Sequence, residues 1–158
     1  MFHKAVHIFI LISFLALVGC GKAAESETTN ESDTVLYNNP ELGISVLDMG
    51  GWVIEKETAS SVKFTNEKIV AIISVIPKGE TVGEIKQAIL SSAGNITVTG
   101  EGANFISWKS ERNESIHTNL YIDEKQDRNV ITTFLTPNDA YEDNREIIEA
   151  FRWNVELY

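Results

Sequence analysis

The sequence predicts an α+β fold, in which a mostly antiparallel sheet of about six to eight strands carries two main helices. From Thr34 onward, apolar and polar residues alternate in short runs, which is typical of half-buried strands. One segment with helical spacing interrupts these runs and a second follows them. A folded part of about 125 residues is long enough to bury a core.

Five strands are predicted in the first half of this domain. Residues 35–37 and 44–47 form two short ones, and residues 52–57 and 62–65 alternate apolar with polar side chains. Residues 69–76 (IVAIISVI) are apolar on both faces, which indicates an interior strand covered on both sides.

The first helix is predicted to begin at Thr81. Thr81 and Glu84 have the spacing of a capping box, and Ile85 and Ile89 recur at helical intervals. Gly94 is the expected C-cap, because glycine adopts the left-handed conformation that ends many helices.

Four further strands and a final helix complete the domain. The helix is predicted to be capped by Asn138 or Asp139 and to present Ile147, Ile148 and Phe151. The strands are predicted at residues 96–99, 104–109, 116–122 and 129–135.

The N-terminus predicts a secreted, lipid-anchored protein. A positive start, an apolar run over residues 5–18 and the small Gly19 form a signal peptide, predicted over residues 1–19. The run is shorter than the roughly 20 residues that a spanning helix needs. Leu17-Val18-Gly19-Cys20 resembles the lipobox of bacterial lipoproteins, in which cleavage precedes the cysteine and its thiol receives a diacylglycerol.

The mature chain is therefore expected to begin at a lipidated Cys20 and to face outward from a cell membrane, at the cell surface or in the periplasm. Cys20 is the only cysteine, so its lipidation leaves no thiol for a disulfide, a metal or catalysis. Residues 20–33 contain no large apolar side chain and are predicted to be a disordered linker. Residues 34–158 form the predicted globular domain.

Composition argues against a nucleic-acid-binding protein. The net charge is −10, because 23 acidic residues outnumber 13 basic ones, whereas neutralising phosphates requires clustered Lys and Arg. The partners expected instead are the lipid bilayer, through Cys20, and an envelope protein.

The order of elements resembles the PsbP-like family, which includes bacterial lipoproteins such as DcrB. The resemblance rests on the segments YNNPELGISVLDMGGW, IVAIISVIPKG and TVGEIKQAILS, followed by a long hairpin and the closing REIIEAFRW. It implies an α/β/α sandwich, and it implies a role among accessory or assembly factors, which are mostly not enzymes.

The candidate contacts for a ligand or partner lie on one predicted strand and the hairpin that follows it. These residues are His117, Tyr121, Asp123, Glu124 and Asp127. His117 is more simply a sheet residue facing solvent or a helix. The three hairpin carboxylates could bind Ca²⁺, but they lack the spacing of an EF-hand and are more simply a solvated turn. The sequence predicts no catalytic residue, metal site or cofactor.

Two other groups of residues allow more than one interpretation. Trp52, Trp108 and Trp153 could stack on a ligand, but packing in the core or at a seam is expected. The acidic residues early in the last helix suit the helix dipole and solubility, or else form a docking surface for a basic partner.

The function expected from the sequence is that of a non-catalytic, membrane-anchored lipoprotein that binds or assists an envelope protein or complex. The alternative is a lipoprotein that binds a small ligand or a cation in a groove between sheet and helix.

Overall fold

Ten strands and two α-helices follow one another in the residues that the computed structural model describes, 34–111 and 114–158. The helices are α1 (Val82–Ala93) and α2 (Tyr141–Trp153). The strands are β1 (Val35–Asn39), β2 (Ile44–Leu47), β3 (Val53–Glu57), β4 (Ser61–Asn66), β5 (Ile69–Pro77), β6 (Ile96–Gly102), β7 (Phe105–Glu111), β8 (Ser115–Glu124), β9 (Arg128–Pro137) and β10 (Val155–Leu157).

Seven of these strands form one antiparallel sheet in the order β3-β4-β5-β9-β8-β7-β6. The α+β fold predicted from the sequence is confirmed. A separate antiparallel sheet, β1-β2-β10, was not predicted. Its strand β10 has only three residues, too few for alternation to be recognised in the sequence.

One face of the large sheet packs against α2 through an aromatic cluster. The ring of Phe151 lies 4.4 Å from Trp52, 5.3 Å from Phe64 and 5.7 Å from Phe134, measured between centroids. Phe151 and its neighbour Ile148 are fully buried, as expected for the apolar side of an amphipathic helix.

The opposite face packs against α1. Ile85 of α1 shares a core cluster with Ile106, Leu120 and Ile122, whereas Tyr121 packs against the cluster on the α2 side. This alternation along β8 follows from the two-residue period of a strand. With one helix on each face, the molecule has the α/β/α arrangement that the resemblance implied.

The two helices begin differently. The capping box of α1 is confirmed: Thr81 Oγ1 accepts from the Glu84 N–H, and Glu84 Oε2 accepts from the Thr81 N–H at 2.8 Å. Gly94 ends α1 with φ of 81°. The predicted side-chain cap of α2 is wrong, because the 3-10 turn Asn138–Ala140 leads directly into the helix and Ala140 occupies the N-cap.

The predicted signal peptide, Cys20 and linker lie outside the described residues. Their assignment stays a prediction, as does the boundary of the globular domain at Thr34. Within 34–111 and 114–158, neither helix has the length and apolar character needed to cross a membrane.

Candidate functional site

The structure separates the five candidate residues into three places. Tyr121 and Asp123 line one cavity near the end of α2, and His117 lies under the start of the same helix. Glu124 and Asp127 remain at the β8–β9 hairpin. The candidates therefore do not form one site.

The cavity near the end of α2, here called the Trp153 cavity, has a volume of about 240 Å³. The large sheet, the last two residues of α2 and strand β10 each contribute part of its wall. Its lining residues are Tyr121, Asp123, Thr132, Arg152, Trp153, Val155 and Leu157.

Tyr121 contributes its ring to the wall of this cavity, where it contacts Arg152 and Phe105. The Arg152 guanidinium lies 3.6 Å from the centroid of the Tyr121 ring, and the centroid of the Phe105 ring lies 4.8 Å from the same centroid. Arg152 Nη1 also donates to Glu149 Oε2 at 3.2 Å. Burial raises the pKa of Tyr121, so its phenol stays neutral at physiological pH. The cavity thus presents a fixed aromatic and cationic surface.

Trp153 leaves 82% of its surface exposed at the rim of the cavity. The prediction that it packs in the core or at a seam is wrong, whereas the same prediction is confirmed for Trp52 and Trp108, both buried. The reason is helical geometry: Trp153 lies about 200° around the helix from the buried Phe151. A helical wheel drawn on the sequence could have revealed this exposure.

The first turn of α2 covers a polar end of β8. The rings of His117 and Tyr141 stack at 3.6 Å with 2° between their planes. Asn119 Nδ2 donates to the Tyr141 hydroxyl at 3.1 Å. Of the two orientations that the sequence allowed for His117, the structure shows the one facing a helix, and only 6% of the residue is exposed.

Several buried polar atoms at this end have no hydrogen-bond partner. They include both ring nitrogens of His117, Asn119 Oδ1 and Thr136 Oγ1, and Thr136 lies opposite His117 in the β8–β9 register. Burial is the main reason that the pKa of His117 is lowered, and the positive charge of Lys109 adds to it, whereas the Asn119 side chain and the negative charge of Glu142 oppose the shift. This histidine is therefore a neutral packing group near neutral pH.

Two of the three hairpin carboxylates are paired with basic side chains. Lys78 Nζ lies 3.2 Å from Glu124 Oε1, and Arg128 Nε lies 3.6 Å from Asp127 Oδ1. In residues 34–111 and 114–158, no group of three or more His, Cys, Asp or Glu side chains could hold a metal ion. The geometry therefore gives the cation interpretation no support.

A broader depression of about 710 Å³ lies on the α1 face of the sheet. Val70, Ile116, Leu135 and Pro137 supply its apolar part, at the end of the sheet away from the α1 cluster. Lys68, Glu114 and Asp139 surround it with charges of both signs. No pattern in the sequence indicated this depression.

Comparison with known proteins finds similarity in structure alone. No protein-family model and no curated protein sequence matches the chain. A Mog1 mutant superposes with a TM-score of 0.55 at 6% identity, covering 78% of this chain and 95% of Mog1. Mog1p of Saccharomyces cerevisiae, described as a Ran-binding protein, gives 0.50 at 6% identity, covering 73% and 90%.

Two further structures come from bacteria. LpqN of Mycobacterium tuberculosis, described as involved in cell envelope biogenesis, gives a TM-score of 0.51 at 12% identity, covering 78% of this chain and 89% of LpqN. The cyanobacterial PsbP of Synechocystis gives 0.50 at 11% identity, covering 90% and 99%. Identities this low establish the fold and nothing more specific. This chain has the PsbP-like fold.

Proposed function

We propose that the protein is a membrane-anchored, non-catalytic lipoprotein that faces outward and binds or assists another envelope protein. The observation that carries this proposal is the exposed indole of Trp153 beside the fixed pair of Tyr121 and Arg152. Trp, Tyr and Arg are the residue types that contribute most to protein–protein binding energy.

The contacts that Arg152 makes within this surface favour binding. Arg152 is held by both the Tyr121 ring and Glu149, so little side-chain freedom remains to be lost when a partner binds. The described residues around it combine an aromatic centre with charged groups at the margin, which is the usual anatomy of an interface.

The predicted anchor supports the same function. A lipid on Cys20 confines the domain to a surface, and the 20–33 segment gives it reach, so a partner in the same membrane meets it at raised effective concentration. LpqN, a structural relative described as involved in envelope biogenesis, has the same fold.

The test is chemical crosslinking of the intact lipoprotein in its native envelope, followed by identification of the proteins joined to it. The control is Cys20→Ala, which removes the site of lipidation. We expect one reproducible partner with the intact protein and its loss with the control. Crosslinked envelopes that contain no such partner would contradict the proposal.

A second candidate function is small-ligand binding in the Trp153 cavity. The observation in its favour is that Asp123 and Arg152, of opposite charge, line the same small cavity as Tyr121. A screen of metabolites by thermal unfolding of the Cys20→Ala protein tests it. A compound that raises Tm for this protein, and not for its Asp123→Ala variant, would favour a ligand over a protein partner.

A further inference from the structure

We propose that the outward face of α2 is the docking surface, and that it fits a protein with an apolar pocket for Trp153 and basic side chains facing Asp143 and Glu146. The inference rests on the proposed function and specifies its surface and the chemistry of its partner. Asp143, Glu146, Ala150 and Trp153, here called the α2 ridge, are its defining residues.

The α2 ridge is a continuous line on one side of the helix. Its residues are spaced by three, four and three positions, so they fall within about 80° of one another around the axis. All four are exposed, and Ile147 beside them is 37% exposed. From Asp143 to Trp153 the ridge is about 15 Å long, which suits recognition by a groove or shallow pocket.

The two ends of the ridge differ in chemistry. Trp153, Ala150 and the neighbouring Ile147 make its C-terminal half apolar, whereas Asp143 and Glu146 make its N-terminal half acidic. Apolar anchors at the centre of an interface and charges at its margin are the arrangement that proteins use to bind one another. The ridge therefore specifies both where a partner binds and in which direction it lies along the helix.

The charge of the partner follows from ion pairing on α2. The two arginines of the helix are already engaged, Arg145 with Glu142 at 3.4 Å and Arg152 with Glu149 at 3.2 Å. Among the described residues, no ion pair involves Asp143 or Glu146. A partner with Lys or Arg at this end would satisfy both carboxylates and gain from their attraction at long range.

The same charges favour a protein over a lipid surface. Exposed tryptophans also occur at membrane interfaces, where the indole lies among the headgroups. Seating Trp153 in an anionic bilayer would bring Asp143 and Glu146 toward like charge, which costs free energy. The proposal therefore commits to a protein, and membrane binding becomes an outcome of the test.

Other exposed apolar residues lack this combination. Val35 is exposed on β1, Val53 and Ile54 on β3 and Val98 on β6, but none is aromatic. Tyr158 is aromatic and 58% exposed, but its hydroxyl already donates to Asn38 Oδ1 at 2.7 Å. Val98 is on the strand at the opposite edge of the large sheet from β3. It provides a matched control for Trp153, and Glu41 and Glu80, also exposed and without an ion pair among the described residues, provide one for the acidic half.

The experiment measures crosslinked partner recovered from native envelopes with the full-length lipoprotein and two variants, Trp153→Ala and Asp143→Lys/Glu146→Lys. Val98→Ala and Glu41→Lys/Glu80→Lys are the controls. We expect Trp153→Ala to lower recovery about tenfold or more, as loss of a central aromatic does. The charge reversal should lower recovery at low salt and remove most of its salt dependence. Both controls should match the parent protein.

Each outcome distinguishes this inference from the function on which it rests. If the parent captures a partner through its anchor and both ridge variants retain it at control level, the docking surface is wrong, and the captured partner alone supports the proposed function. If the parent captures no partner, both fail. If Cys20→Ala protein binds vesicles of phosphatidylglycerol and phosphatidylcholine, and Trp153→Ala abolishes this, the ridge is a membrane contact and the inference is overturned. Unchanged thermal unfolding of each variant shows that folding is intact.

Discussion

The two ends of α2 lie over the same strand, β8, but the first turn is closed over a β8 side chain, whereas the last turn leaves an aromatic side chain exposed. At the first turn, Tyr141 closes over His117 and leaves buried polar atoms without partners. At the last turn, Arg152 covers Tyr121 and Trp153 stays 82% exposed. His117 and Tyr121 are only about 13 Å apart along the strand.

Both ends carry a cost, but of different kinds. Unpaired polar atoms cost free energy when they are buried, and an exposed indole forgoes the free energy of burial. The His117 side chain is buried beneath Tyr141 and offers a partner no surface, whereas the indole of Trp153 is exposed. The comparison therefore supports the proposal that the apolar anchor of the docking surface lies at the end of α2.

The largest effect on stability is expected at Phe151, on the buried side of the last turn of α2. Phe151→Ala should lower the free energy of unfolding by about 3–5 kcal/mol, because the ring is fully buried among Trp52, Phe64 and Phe134. Urea unfolding measures this loss. A loss below about 1 kcal/mol would mean that α2 is not anchored as described, and both ends would need a new account.

Removal of the Tyr141 ring, which covers His117 at the first turn of α2, should lower the free energy of unfolding. Tyr141→Ala should cost about 2 kcal/mol, since it removes the stacked ring and leaves the Asn119 amide without its acceptor. Tyr141→Phe keeps the stack and loses only the hydroxyl, so its cost should be about 1 kcal/mol. Equal stability of all three proteins in urea would contradict the closed packing.

The same end should make stability depend on pH. Because the pKa of His117 is below 6.5 in the folded protein, the unfolded chain takes up a proton first as the pH falls. Stability should therefore decrease below about pH 6.5, and His117→Phe should flatten this part of the curve. Lys109, Glu142 and Tyr141 are the charged or titratable groups that act on this site.

A separate loss of stability is expected at lower pH. Hydrogen bonds hold the pKa of Glu57 and of Glu84 below 4.5, so both carboxylates stabilise the fold above that value and cease to do so as they become protonated. This loss should persist in His117→Phe. If His117→Phe keeps the full dependence of stability on pH between pH 5 and 6.5, then His117 is not the source of that dependence.

The smallest change in stability is expected for a substitution at the exposed end of α2. Trp153→Ala should change the free energy of unfolding by no more than about 0.5 kcal/mol, as exposed positions usually do. Phe151→Ala, two residues away, is the matched comparison for the same helix turn. A loss of several kcal/mol on Trp153→Ala, measured in urea, would show that the indole has a structural role.

Much of this contrast is readable in the sequence. Alternation in residues 116–122 correctly places His117 and Tyr121 on one face, and the spacing of Thr81 and Glu84 correctly predicts a capping box. These signals lie within a few neighbouring residues, so they can be recognised in the sequence without knowledge of the tertiary structure. The exposure of Trp153 could also have been predicted, because it lies about 200° around the helix from Phe151.

The remaining features depend on the tertiary structure. Strand β10 forms because α2 returns the chain beside β2, which no pattern in three residues can reveal. The start of α2 lacks a side-chain cap, since the turn at Asn138–Ala140, which contacts β8, leads directly into the helix. The same cavity is lined by Tyr121 of β8 and by Arg152 and Trp153 of α2. Their proximity depends on packing between two elements that are distant in the sequence.

The most direct test of the account is a photocrosslinking amino acid placed at position 153 of the full-length protein in living cells, with position 98 as the control. Both positions are exposed, on α2 and on β6 respectively. The account predicts a strong adduct with one protein from position 153 and little from position 98. Equal adducts from both positions, or none from position 153, would contradict the claim that the open end of α2 binds a partner.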